Sequence, residues 1–420
     1  MQVTSRPMPE WLVEPQPVED IWSALLRGVS LNPAAIAACQ EGEGELTYAK
    51  LRERSLRCAA VVSSVLGGGS ALAGSRIAVM MPNDVRVIQL HFACAALECS
   101  LVNINTHVTA DELLYILEDC EDCELLVAHT SYREVVRDAV GALQGTRKVR
   151  VCWVGDFANI SDDDSLGQGM QDLDLDDACD CASDFESFDP SEDEGVNADA
   201  EYMVYYTSGT TGKPKRVSLT QRTVCTHAYC MMHEMEVTGG DVWGHVAPMF
   251  HLVDAFAIYT VTMCGGRHVV CPRFETSKVL ETMEREGVTC VNMASTMLAI
   301  LAQSPASSRV DLSSMRVISC GGSPIAPATQ KKVFAVFGCK FFVSYGMTET
   351  CGKISMSILT QEDKDQVRSP ARTTPQRARD DCKFVFFSNA ATLSAPGMQV
   401  RGRGGGSRAR CHLRQALLRH

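Results

Sequence analysis

The sequence predicts an α/β protein of two layered lobes, each a mostly parallel sheet with helices on its faces. Three observations predict it. From about Leu46 to Val154, short apolar runs alternate with segments of helical period. The same alternation resumes at Glu201 and continues to about Ile358. Between Arg150 and Lys213 there is no Lys or Arg, and Asp and Glu crowd the gap. The expected organisation is a first lobe over residues 1–154, an acidic linker over 155–200, a second lobe over 201–358, and a tail over 359–420.

In the first lobe, "LTYAKLRERSLRCAAVVSSVL" has helical spacing and "GGGSALAGS" reads as a loop. "RIAVMM" is a strand stopped by Pro82-Asn83, and Asp84 opens the helix "DVRVIQLHFACAALEC". "SLVNIN" is the next strand. Thr109 with Glu112 three residues on has the spacing of a capping box, so "TADELLYILEDCED" is a helix, and "CELLVAH" follows as a strand. The stretch "DLDLDDACDCASDFESFDPSEDEG" suits a solvated linker, or an acidic patch for docking or metal. In the second lobe "EYMVYY", "VWGHVAPMFH", "GGRHVVC", "GVTCVNM", "MRVISCGG" and "CKFFVSYG" read as strands or strand ends. "SKVLETMERE" and "ATQKKVFAVFG" have helical period.

Composition bounds the function. The 420 residues carry a net charge of −12, which argues against general affinity for nucleic acid or anionic membranes. No basic-then-apolar leader and no apolar run of membrane-spanning length is present, so the expected compartment is the cytoplasm. Nineteen cysteines are scattered through apolar segments and read as free thiols. Cys120 with Cys123, and Cys179 with Cys181, would supply four thiolates for zinc, but the single-residue gap of the second pair does not suit the usual motif.

The chemistry concentrates in "YYTSGTTGKPK", Tyr205 to Lys215. Glycines let successive backbone N–H groups turn toward one anion, hydroxyls add donors, and Lys213 and Lys215 add charge around Pro214. Such a loop suits polyphosphate, although Thr/Ser/Gly clusters also make plain turns. The spacing is not that of a GxxxxGK[ST] loop, and no GxGxxG follows a strand.

Further segments follow in order: "LTYAKL" from Leu46, "PMFHLVDAF" from Pro248, "SCGGSPIAP" from Ser319 and "SYGMTET" from Ser344. Together with the loop they resemble the adenylate-forming (AMP-binding) superfamily, in particular acyl-CoA synthetases and 4-coumarate-CoA ligase-like enzymes. The resemblance implies an ATP-dependent ligase that joins a carboxylic acid to AMP and then passes the acyl group to a thiol, usually coenzyme A. It implies that Thr207, Ser208, Gly209, Thr210, Thr211, Gly212, Lys213 and Lys215 hold the β- and γ-phosphates. Thr348 would touch the α-phosphate and Glu349 would ligate Mg²⁺, a hard cation suited to carboxylate oxygen. Gly322, Ser323, Pro324, Tyr345 and Gly346 would line the adenine. His251 would lie near the reacting carboxylate; without its flanking match it would read as an ordinary surface or core histidine.

The apolar stretch "VNMASTMLAIL" favours a fatty or aromatic acid over an amino acid, and Asp254 does not align with an α-amine ligand. The family's β-barrel subdomain, its Thr-Gly-Asp motif and its small C-terminal domain are not found after Ile358. There "TQEDKDQVRSPARTTPQRARDDCK" is polar, and Arg401 to His420 carry six arginines. Two functional classes follow: an acid–CoA ligase, or a nucleotide-binding chain that acts without catalysis. A peroxisomal address is read at the C-terminus, so it depends on that tail.

Overall fold

The computed structural model describes residues 20–68, 72–143, 147–155, 173–190, 197–207, 213–359 and 384–386. Among the described residues sixteen strands form two sheets. In chain order they are β1 (Ile36–Gln40), β2 (Gly44–Thr47), β3 (Arg76–Met80), β4 (Ser100–Asn103), β5 (Cys123–His129), β6 (Arg150–Val154), β7 (Leu173–Asp174) and β8 (Glu201–Thr207). Next come β9 (Lys215–Thr220), β10 (Val242–His245), β11 (Arg267–Val270), β12 (Cys290–Met293), β13 (Val317–Cys320), β14 (Lys340–Met347), β15 (Gly352–Leu359) and β16 (Phe384–Phe386). The helices are α1 (Ile21–Leu31), α2 (Tyr48–Leu66), α3 (Val85–Ala96), α4 (Ala110–Asp119), α5 (Arg133–Ala142), α6 (Leu175–Cys181) and α7 (Gln221–Glu234). They continue with α8 (Leu252–Cys264), α9 (Thr276–Arg285), α10 (Ser295–Gln303) and α11 (Pro327–Phe337).

The seven-stranded sheet has the order β7-β6-β5-β3-β4-β8-β9, parallel except for the last pair. The nine-stranded sheet runs β16-β15-β14-β13-β12-β10-β11-β1-β2 and is parallel from β14 to β1. The α/β class and the mostly parallel sheets therefore stand as the alternation predicts. Local signals set the helix starts. Thr47 and Asp84 accept from backbone N–H groups of the first turns of α2 and α3, and Thr109 with Glu112 forms the capping box of α4.

The lobes do not follow the expected chain boundaries. β1 and β2, from the first segment, join the nine-stranded sheet through a parallel pairing of β1 with β11. β8 and β9, from the second, extend the seven-stranded sheet beside β4. Alternation reveals that a segment is a strand, but an unpaired sheet edge chooses its partner, and that choice is not local.

The described part of the acidic stretch, residues 173–190, is not a solvated linker. Its helix α6 buries Leu175 and Cys179 against the core that includes α2. Three arginines meet its acids and a fourth its carbonyls. Arg54 pairs with Asp176 at 2.8 Å and with Asp180, Arg86 pairs with Asp176 at 2.7 Å, and Arg52 pairs with Asp189. Arg57 donates to the carbonyls of Cys179 and Ala182. The charge run is thus a strap whose sign complements the arginines beneath it. Cys179 lies 3.5 Å from Cys58, and Cys181 is exposed. Among the described residues no group of three or more His, Cys, Asp or Glu side chains could hold a metal ion.

Helix α8 sits at the centre. It is apolar almost all round, and only Val253 and Cys264 along it are not fully buried. Tyr259 on α8 reaches His91 of α3 and Tyr202 of β8, while Asp254 at its first turn reaches β10. One helix thereby fastens the two sheets and holds His251 at its N-terminus.

Candidate functional site

The glycine loop closes an antiparallel hairpin. Thr207 at the end of β8 pairs with Lys215 at the start of β9. Ser208, Gly209, Thr210, Thr211 and Gly212 lie outside the described residues. Beyond them, the Lys213 ammonium stands 5.2 Å from the centre of the Tyr115 ring, and the Tyr115 hydroxyl donates to the Pro214 carbonyl at 3.4 Å. Helix α4 thus anchors the end of the loop, and Lys215 remains exposed.

The remaining predicted residues come from the other sheet. β13 ends in the turn Gly321-Gly322, where Gly322 has φ +80°. A Cβ on Gly321 would fall 2.4 Å from the Ser344 Oγ, whose hydroxyl donates to the Cys320 carbonyl at 3.0 Å. The glycine therefore lets the turn lie flat on β14. The hydroxyls of Ser323 and Ser295 are 2.8 Å apart and tie this turn to the start of α10; Pro324 is exposed. On β14, Tyr345 leaves half its surface free. Gly346 is the closest backbone approach of the site, since a Cβ there would fall 1.8 Å from the Gly352 carbonyl oxygen.

A 3₁₀ turn, Thr348–Thr350, links β14 to β15. The Thr350 hydroxyl accepts from the Met347 N–H at 3.2 Å and lies 2.9 Å from the Met347 carbonyl, so the turn is closed on itself. Thr348 is half-buried, and Glu349 is exposed with no ion-pair partner among the described residues. Strand β9 packs against this turn. The hairpin of one sheet and the Thr348-Glu349 turn of the other are thereby neighbours.

His251 caps α8, its N–H donating to the Pro248 carbonyl at 3.1 Å and its ring 4.7 Å from that of Phe250. The ring surface is open, yet the surrounding protein and the nearby His107 lower its pKa below the ordinary histidine value. Asn83 fixes the approach to it. Its amide donates to the His245 and Ala247 carbonyls, both at 2.9 Å, and its oxygen accepts from the Met249 N–H at 2.7 Å. In the sequence Asn83 stands as a strand terminator, and a polar residue beside the proline is its only signal.

Asp254 turns away from the site. It is fully buried, accepts from His245 Nδ1 at 2.6 Å, and takes a longer bond from the Trp243 indole at 3.3 Å. His245 Nε2 meets His268 Nδ1 at 2.9 Å, and His268 Nε2 meets the Thr262 hydroxyl at 3.0 Å. Each neutral imidazole has one donor and one acceptor, so the chain runs consistently from the Thr262 hydroxyl to the Asp254 carboxylate. Lys353, four residues after Glu349, is also buried and was not singled out from the sequence.

Comparison with known proteins places this geometry. The AMP-binding enzyme family matches residues 27–379. The chain is 27% identical over 330 residues to the long-chain-fatty-acid–CoA ligase FadD13 of Mycobacterium tuberculosis, covering 78% of this chain and 60% of that protein. It is 29% identical over 325 residues to a feruloyl-CoA synthase of Amycolatopsis, covering 77% and 58%. It thus spans about three fifths of the length of these relatives. Among solved structures, the inhibitor-bound N-terminal domain of FACL13 from M. tuberculosis superposes with a TM-score of 0.69 at 26% identity, covering 83% of this chain and 80% of that one. With the family match extending over most of its length, the chain belongs to the AMP-binding enzyme family.

Proposed function

We propose that this chain forms the nucleotide- and acid-binding part of an ATP-dependent carboxylic acid–CoA ligase. The observation that carries the reading is the packing of β9 against the Thr348–Thr350 turn. It sets the cationic end of the glycine hairpin beside an unpaired carboxylate, with an exposed aromatic ring and two glycine turns adjoining. A nucleoside triphosphate offers matching parts: polyphosphate for the loop, a ring face for Tyr345, and flat backbone at Gly322 and Gly346.

In this reading the acid's carboxylate oxygen attacks the α-phosphorus as the bond to the β-phosphate oxygen breaks. Acyl adenylate and pyrophosphate result; a thiol then attacks the acyl carbon and AMP leaves. Little covalent chemistry falls to the protein, so positioning and charge neutralisation dominate. Lys213 and Lys215 offset the charge of the departing pyrophosphate, and Thr348 orients the α-phosphate. His251, at the start of α8, lies beside the entering carboxylate, and Asn83 holds the strand end before it. Glu349 fits a Mg²⁺ that arrives with the nucleotide, because that ion is commonly held by one or two carboxylates together with substrate phosphates. When bound, the ion would neutralise phosphate charge.

Relatives named for fatty, feruloyl and 2-succinylbenzoate substrates show how broadly the acid varies among proteins similar to this chain. ATP–pyrophosphate exchange with a panel of carboxylic acids tests the proposal. Acid-dependent exchange above that of Lys215→Ala is expected. Exchange no greater than in that variant, with nucleotide still bound, would leave a nucleotide-binding chain without catalysis.

A further inference from the structure

Among the described residues, three buried polar side chains in the nine-stranded sheet have no hydrogen-bond partner. Both amide atoms of Asn292, the hydroxyl of Ser319 and the ammonium of Lys353 are unsatisfied. Asn292 and Ser319 are fully buried, and Lys353 exposes 5% of its surface. Such groups are normally paired, because burying one without a partner is costly.

They share a face. In the parallel ladder Asn292 stands directly opposite Ser319, so both side chains point to the same side. Two residues earlier on the same strands, Cys290 and Val317 pack in one cluster with Trp243 and Phe256, which places that side toward α8. Lys353 reaches the same cluster from β15, its ammonium 3.5 Å from the centre of the Phe256 ring. Asn292 and Ser319 lie one residue before the C-terminal ends of β12 and β13. Ligands of open α/β sheets bind at those ends; the Gly321-Gly322 turn follows β13, and His251 follows β10, the parallel neighbour of β12.

The groups facing the ammonium are few. Asp254 attracts it, but that carboxylate is already bonded to His245 and Trp243. The His227 ring accepts the Lys353 backbone N–H at 3.2 Å rather than its ammonium. Burial lowers the Lys353 pKa to about 7, with Asp254 and Cys320 acting in the opposite sense. An ammonium, an amide and a hydroxyl without hydrogen-bond partners among the described residues are together complementary to a carboxylate, the Phe256 ring face being the ammonium's neighbour.

We propose that Lys353, Asn292 and Ser319 form a recognition site for a second anionic group at the far end of the acid, so that the substrates are dicarboxylic acids. The proposal rests on the ligase reading above, and it replaces the fatty or aromatic acid that the apolar stretch after Asn292 suggests. One carboxylate is activated beside His251, and the other accepts from Lys353, Asn292 and Ser319 inside the fold.

Calorimetric titration of the full chain, with a non-hydrolysable ATP analogue present, tests it against matched pairs of straight-chain acids and diacids from four to ten carbons. The wild-type chain is expected to bind the best diacid at least about tenfold more tightly than the monoacid of equal length. Lys353→Met is expected to lose that preference. A wild-type chain that binds monoacids equally or better overturns the proposal, as does a Lys353→Met variant that keeps the preference. The wild-type comparison decides alone if the variant does not fold. Binding of monoacids only leaves the ligase reading standing, whereas binding of neither class overturns that reading and this proposal with it.

Discussion

Asn83 holds the Met249 N–H at 2.7 Å across the junction between the two sheets. One side chain at the end of β3 thereby satisfies three backbone groups of the segment leading to His251. Asn83→Ala removes the partner of the Ala247 carbonyl and the Met249 N–H in a buried setting, while the His245 carbonyl keeps the Cys271 N–H. A loss of about 2–4 kcal/mol is expected, read by urea denaturation. Asn83→Asp keeps the acceptor for Met249 but sets a buried carboxylate against two carbonyl oxygens, so it should lose at least as much. Equal stability of wild type and Asn83→Ala would remove the clamp from the account.

Gly346 predicts a steric effect rather than a hydrogen-bonding one. A methyl group there overlaps the Gly352 carbonyl oxygen, so β14 and β15 must separate at the turn that carries Glu349. Gly346→Ala should cost about 1–3 kcal/mol and should abolish the thermal shift produced by ATP with magnesium. An unchanged shift in a folded variant would place nucleotide elsewhere.

Three buried histidines set an acid limit on stability. Burial lowers His91 and His227 to about 3 and His268 well below its ordinary value of 6.5. The unfolded chain takes up these protons near pH 6.5, and the native chain does so only at lower pH. Stability therefore falls as pH drops from about 6.5 toward 3. Thermal unfolding across that range should show the decline, and His268→Gln should reduce its slope by about one proton. A melting temperature independent of pH between 6.5 and 4 would contradict the lowered values of these three buried histidines.

The acidic strap should respond to salt. Asp176 bridges Arg54 and Arg86, and a third of its side chain is exposed. Asp176→Asn is expected to cost only about 1 kcal/mol, but to speed proteolysis within residues 173–190. Added salt should speed it in the wild type and less in the variant.

What was legible follows from where the information lies. Apolar alternation and the caps at Thr47, Asp84 and Thr109 are local, so the α/β class and most elements could be read in order. Candidate motif residues could be singled out because glycine clusters and paired lysines are visible in the residue identities. Partnership was not legible. The strap looked like a linker because its arginines are distant in sequence, on α2 and α3. Asn292, Ser319 and Lys353 sit singly in apolar strands, and only the ladder brings the first two side by side.

We propose that the glycine turns and Tyr345 receive the adenine of an acyl adenylate. Calorimetric titration with acyl-sulfamoyl adenosines, stable analogues of that intermediate, tests it most directly. One saturable site is expected, weakened about tenfold in Tyr345→Ala through loss of base stacking. Absence of binding across the acyl series, or equal affinity in the variant, would contradict the account.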